Sequence, residues 1–202
     1  MTVAAGLSSY VGYSVISFLP SFLVRSFDMP VDQVGLYLGL IIGIVGGAGF
    51  FLGGYIADHL GKTDHRRALR FIGLTVFLTA LPYAVMFLSS SWQVALLVFL
   101  VPAATANVYL APVLSQAQSL VSLRMRAMAS ALALLIINVI GLALGPLLTG
   151  VLSDLLVSRF EEESMRYSLL IVTSIVLPWA GWHYVRAGKT IDADLMRATE
   201  HD

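Results

Sequence analysis

Apolar residues along this chain do not alternate with polar ones; they continue for twenty positions or more before a charge interrupts them. Runs of that kind suit membrane-crossing α-helices, which need about 20 largely apolar residues, whereas half-buried strands alternate with a period of two. Six runs qualify: 3–24, 34–57, 70–89, 92–115, 126–153 and 167–186. The connections are short, apart from charged stretches at 58–70 and 154–166. Beyond Arg186 the chain turns polar (Asp192, Asp194, Arg197, Glu200, Asp202), so 187–202 reads as a tail. The first run reads as a span and not a signal peptide, because Met1 to Ala5 carries no basic residue and a second span follows closely.

Composition sharpens this picture by exclusion. Hydrophobic residues make up 58% of the 202 and charged ones 12%, against about 25% charged in soluble domains. Mean hydropathy is +0.85. A water-soluble globule of this size could not hide so much apolar surface, so disorder, nucleic-acid binding and soluble enzymology are all excluded. Formal net charge is zero, which implies no global electrostatic partner. With no cysteine there is no disulfide, thiolate metal site or cysteine nucleophile, and no metal or cofactor is expected.

Basic residues set the orientation, since Lys and Arg accumulate in cytoplasmic loops. One side holds Lys62, Arg66, Arg67, Arg70, Arg124, Arg126, Arg186, Lys189 and Arg197; the other holds only Arg25, Arg159 and Arg166. Nine against three places both termini in the cytoplasm, in a bacterial inner membrane or another plasma membrane.

A shift of 96 residues aligns the two halves of the chain. Gly49 then meets Gly145, Gly54 meets Gly150, and Asp58 meets Asp154. Arg70-Phe71 meets Arg166-Tyr167, and Leu81-Pro82-Tyr83 meets Leu177-Pro178-Trp179. Three spans separate the copies, an odd number, so they lie inverted in the bilayer. Inverted three-plus-three repeats characterise secondary transporters.

Small residues mark two of the spans. Gly35, Gly39, Gly43 and Gly47 recur every fourth residue and share one helix face, followed by Gly49, Gly53 and Gly54. Such a stripe admits a neighbouring backbone, either as a fixed packing groove or as a seam along which helices slide. The fifth span repeats the device more sparsely with Ala129, Ala133, Gly141 and Gly145, and Pro146 should bend or open it. At the end of the second span stands Gly54-Tyr55-Ile56-Ala57-Asp58-His59-Leu60-Gly61-Lys62, with Gly61 suited to a tight reversal.

That last segment resembles the loop between second and third spans in the major facilitator superfamily, with His59 where the family usually has Arg or Lys. Arg66 or Arg67, or His65, would meet the later basic position. The resemblance implies a conformational latch built from Gly54, Asp58, Gly61, Lys62, Arg66 and Arg67; a solvated turn is the plainer reading. Several further segments look like the second half of spinster-like transporters: Phe18 to Arg25, Met125 to Ala131, Asn138-x-x-Gly141-x-x-x-Gly145-Pro146, Gly150 to Asp154 and Ser164 to Tyr167. Animal relatives of that branch are associated with export of lysolipids and sphingoid phosphates, and bacterial ones mostly lack an assigned substrate. The implied fold is all-α, six transmembrane helices as an inverted 3+3 repeat forming half of a major facilitator fold. The implied partner is an N-terminal six-helix half carrying the proton-coupling acid. No Asp, Glu, Lys or Arg lies deep in any span of this chain, which agrees.

What is left to line a pathway is polar and neutral. By the resemblance, the first, fourth and fifth spans flank the pathway, which selects Tyr10, Tyr13, Ser14, Ser17, Thr105, Asn107, Tyr109 and Asn138. Each of these could instead form an interhelical hydrogen bond, and Asn138 serves equally as packing glue. Arg25 reads as a snorkelling anchor, His183 as interfacial, and Trp92, Trp179 and Trp182 as belt residues. An intramembrane serine protease would need an activated serine beside a base. Gly6-Leu7-Ser8 and His183 invite that idea, yet the fourth span, where the rhomboid serine lies, has only Ser115 at its end. No enzyme is therefore expected. The expected function is secondary transport by alternating access, of an amphipathic or organic-anion molecule, by a half-transporter, truncated product or fragment. The alternative is a six-span scaffold that acts by association.

Overall fold

The computed structural model describes residues 1–199; the side chains of Asp58, Lys62, Thr63, 192–195 and 197–199 lie outside that description. Six helical rods account for most of the described residues. Rod α1 is Thr2–Phe27, and α2 comprises Val31–Leu40, a π-helical segment Ile41–Gly46 and Gly47–Thr63. Rod α3 is His65–Leu88, and α4 is Trp92–Thr105 followed, after a break, by Leu110–Ser119. Rod α5 comprises Arg126–Asn138, a second π segment Val139–Ala143 and Leu144–Phe160, and α6 is Ser164–Thr199. The polar segment after Arg186, expected as a tail, thus continues α6 in helical form as far as Thr199.

Among the described residues five helical stretches are long and apolar enough to cross a bilayer, and the last of them, Leu123–Ile191, contains α5 and α6 as far as Ile191. Its 69 residues would extend about 100 Å as one helix, some three bilayer cores, so they must fold back. They do so at Glu161, whose φ of 48° breaks the helix ahead of the 3₁₀ turn Glu161–Glu163. At the end of α1 the reversal is made by Asp28, in the left-handed conformation that short polar side chains tolerate.

Helix packing repeats under inversion. Rod α1 packs on α6 as α4 packs on α3, and α5 packs on α1 as α2 packs on α4, while α3 and α6 pack on each other. Gly49 of α2 sits against the backbone of Ala104 on α4; its partner by the 96-residue shift, Gly145 of α5, sits against the Tyr10 carbonyl on α1. The π segments obey the same relation, interrupting α2 and α5 at nearly equivalent positions.

The densest core lies where α1, α3 and α6 meet, around Leu19, Phe22, Leu69, Ile72, Phe87, Leu169 and Tyr184. Phe22 and Phe87 make an edge-to-face pair at 5.2 Å. One end of this core is fastened by Arg166. Its Nε lies 2.7 Å from Glu163 Oε2 as an ion pair, although not aligned as a hydrogen bond, and its guanidinium covers Phe22 and Phe27 at 5.5 and 5.4 Å. Ser26 of α1 donates to the same Glu163 oxygen at 3.1 Å. Rods α2 and α5 instead leave much of their apolar surface exposed, including Ile44, Phe51 and Leu52, and Leu135, Leu142 and Leu147.

Candidate functional site

A half-open cavity of about 490 Å³ is walled mainly by α1, α2, α4 and α5. Its walls are mainly apolar, from Ile16, Ile42, Phe50, Phe99, Leu134 and Ile137. Ser9, Tyr13, Tyr83, Asn107, Tyr109 and Asn138 supply neutral polar groups, and no charged side chain is among its described lining residues. A site of this kind excludes water from an apolar body and orients it with a few hydrogen bonds.

The cavity exists partly because α4 is broken. Residues 106–109 form turns, with tight bonds from Val108 N to the Thr105 carbonyl (3.3 Å) and from Leu110 N to the Asn107 carbonyl (3.2 Å). Two prolines frame the interruption. Pro102 lacks the N–H that would reach Val98, and Pro112 lacks the one that would reach Val108, a loss tolerated only because Pro112 stands in the first turn of Leu110–Ser119. Irregular backbone at membrane depth is viable where it lines a cavity or is covered by protein. Both apply: Ala106, Asn107 and Tyr109 line the opening, and the Ala103 and Ala104 carbonyls face Gly46 and Gly49 of α2. The prolines were the readable signal for this break, hidden by an otherwise uninterrupted apolar run.

Of the eight residues expected to line a pathway, the fold gathers Tyr13, Asn107, Tyr109 and Asn138 at the cavity. Asn138 spends its Nδ2 on the Leu134 carbonyl at 2.8 Å, leaving Oδ1 as its open acceptor, directly before the α5 π segment. The other four lie elsewhere. Thr105 occupies a smaller niche beside the cavity, where its hydroxyl lies 3.0 Å from that of Thr79. Ser14 is fully buried and accepts a hydrogen bond from Thr149 of α5 at 2.9 Å. The Tyr10 carbonyl packs on Gly145, and Ser17 is exposed. Spacing put Tyr10, Tyr13, Ser14 and Ser17 on one side of α1, but a helix surrounded by neighbours presents each to a different one. Ser9 and Tyr83 line the cavity beyond the expected set; Ser9 adjoins the polar residues of α1, and Tyr83 belongs to the repeated Leu-Pro-aromatic segment.

The glycines divide in the same way. Around Gly35, Gly39, Gly43 and Gly47 a Cβ would meet nothing within 4 Å, so the stripe does not pack inside this bundle. Close packing falls instead to Gly49 and Gly53 of α2, on Ala104 and Val108, and to Gly141 and Gly145 of α5, on Ser9 and Tyr10. The opening of α5 lies at Val139–Ala143, just ahead of Pro146. In the α2–α3 connection, the helix runs through Gly61 to Thr63, so Gly61 does not make the reversal. The turn is made at Asp64, whose extended backbone and side chain cap α3: Oδ1 accepts from Arg66 N at 2.8 Å and Arg67 N at 3.2 Å. Arg67 also pairs with Asp64 at 3.3 Å, while the Arg66 side chain crosses to α6. Gly54 faces open space, and the side chains of Asp58 and Lys62 lie outside the described residues. Ser8 donates to the Ala4 carbonyl at 3.1 Å, whereas His183 packs against Trp179 and Trp182.

Residues 1–194 match the model of the major facilitator superfamily. The chain belongs to that superfamily. An MFS-type efflux pump from Mycolicibacterium smegmatis is 34% identical over 177 residues, covering 86% of this chain and 41% of the pump. A bacterial homolog of the human lysosomal transporter Spinster, solved inward-facing and unoccupied, superposes with a TM-score of 0.85 at 24% identity, covering 96% of this chain and 47% of the other. The inward-facing, occupied form gives 0.66 at 22% identity, covering 98% of this chain and 48% of the other. This superfamily chain is therefore a multi-pass membrane protein with a spinster-like fold, spanning less than half the length of these relatives.

Proposed function

We propose that the chain is the C-terminal six-helix half of a secondary transporter that works by alternating access on an amphipathic small molecule. The observation that carries this reading is the cavity, which one bundle walls on the α1, α2, α4 and α5 side while α2 and α5 keep their outer apolar faces exposed. An N-terminal bundle set against those faces would complete the enclosure. The lining suits a cargo with a large apolar body and a neutral or weakly polar end; a fixed counter-charge for an anionic cargo would have to come from the other half. Rocking then exposes the cavity to either side, with both termini cytoplasmic and the α2–α3 connection latching one state.

Absence of cysteine makes the test direct. Cysteine placed at Gly43 should crosslink in native membranes to a distinct six-span partner, and cysteine at Asn138 should react with an impermeant maleimide from each side in turn as cargo is added. Crosslinking of Gly43→Cys only to a second copy of this chain would favour the six-span scaffold and overturn the transporter reading.

A further inference from the structure

The geometry points to an anionic phospholipid site on the α3–α6 groove, at the end of the bundle holding the α2–α3 turn. This groove lies away from the cavity, which takes only Tyr83 from α3 and nothing from α6. Its floor is set by glycine. A Cβ on Gly73 would lie 2.8 Å from the Gly181 carbonyl and 2.9 Å from Val185, and one on Gly181 would lie 2.9 Å from Phe77. These contacts place two stripes side by side: 66, 70, 73 and 77 on α3, and 182, 186 and 189 on α6, each at a spacing of three and four.

The polar ends of both stripes are cationic. Arg66 bridges the groove, its Nε donating to the Gly188 carbonyl at 3.0 Å and its Nη2 to the Lys189 carbonyl at 3.4 Å. Arg70, Arg186 and Lys189 are exposed around it. Arg186 is steadied over the Trp182 ring at 4.7 Å, and none of the three has a carboxylate partner among the described residues. Arg70 contrasts with its repeat counterpart Arg166, which Glu163 and two phenylalanine rings hold in place. Toward the membrane centre the same groove becomes exposed and apolar through Leu74, Phe77, Leu81 and Ile175. Cations at one end and an apolar bed below match one molecule with a phosphate head and acyl chains, because basic clusters between helices attract anionic head groups while apolar surface holds the tails. Trp182 supplies the amphipathic ring suited to that boundary.

The test uses the full 202-residue chain in mixed phosphatidylcholine and phosphatidylglycerol vesicles, with retained lipid read by native mass spectrometry. Wild type should retain phosphatidylglycerol preferentially. R70Q/R186Q should lose that preference by about fivefold per neutralised cation, whereas R70K/R186K should keep it. R124Q/R126Q removes equal charge from the α4–α5 turn and should change nothing; K189Q, at a single exposed position, repeats the test if the double variant fails to fold. Equal retention of both lipids by wild type, an equal loss in R124Q/R126Q, or displacement of the lipid by inorganic phosphate would overturn the assignment.

Discussion

Gly73 and Gly181 cross with each backbone filling the place of the other's missing side chain: a Cβ on Gly73 would stand 2.8 Å from the Gly181 carbonyl, and one on Gly181 would stand 2.7 Å from the Gly73 carbonyl. The obstacle is backbone on both sides, so no rotamer change relieves it. Gly181→Ala should therefore push α3 and α6 apart and lower stability by about 1–3 kcal/mol, the usual range for overpacking. Unfolding of the detergent-solubilised chain would measure the loss, and unchanged stability would show that this crossing is loose.

The stripe on α2 gives the opposite expectation. Gly39→Ala and Gly43→Ala meet nothing within 4 Å and replace the poorest non-proline helix former with the best, so the isolated chain should be unharmed or slightly stabilised. If an N-terminal bundle docks there, the same substitutions should weaken its co-purification with this chain. Loss of stability in the chain alone would place the stripe in an internal contact instead.

The spans were legible because a bilayer demands long apolar stretches, and the inversion was legible because Asp, Arg and Pro recur at one offset. Helix rotation was less so. In water, a polar stripe marks the outside of a helix; in lipid, exposed and buried faces are both apolar, so Ser14 against α5 and Tyr13 at the cavity look alike in sequence. The α4 break had its signal in Pro102 and Pro112, but the π segments leave no comparable mark. Gly73 and Gly181 carry no pattern in the sequence, because each stands singly, with its partner 108 positions away.

Asp64 offers a check outside the membrane core. Its carboxylate satisfies two of the amide donors that open α3, and the extended backbone there places it as the cap. Asp64→Ala should cost about 1 kcal/mol, while Asp64→Ser should recover most of it. Hydrogen exchange should rise at the amides of Arg66 and Arg67 in the alanine variant. If the two variants behave alike, the cap contributes nothing beyond the turn itself.

A buried hydroxyl pair probes the α1–α5 contact. Thr149 donates to Ser14 at 2.9 Å, and both residues are fully buried. Thr149 also presents its carbonyl to Ser168 of α6 at 2.7 Å, a bond that any residue at 149 can accept. Thr149→Val keeps the shape and removes only the hydroxyl contact, so it should cost about 0.6 kcal/mol, the average for such bonds between membrane helices. A loss several times larger would mean that the hydroxyl also positions the α1 face carrying Tyr13.

Four residues at the cavity and four away from it set the sharpest functional expectation. A cargo orienting on Asn107 or Asn138 would exchange one hydrogen bond for none in Asn107→Leu or Asn138→Leu, a loss of about 0.5–1.5 kcal/mol, or roughly two- to tenfold in apparent affinity. If the chain is half of a transporter as proposed, Ser17→Ala, exposed and outside the cavity lining, should leave transport unchanged when the chain is reconstituted with its other half. Ser14→Ala should reduce the amount of folded protein without altering the affinity of what remains, since its hydroxyl is spent on Thr149. The two classes thus separate by what moves: affinity for the cavity set, yield for the packing set. Were Ser17→Ala to weaken affinity as much as Asn107→Leu, the cargo would have to run along the exposed side of α1, and the cavity would not be where it binds.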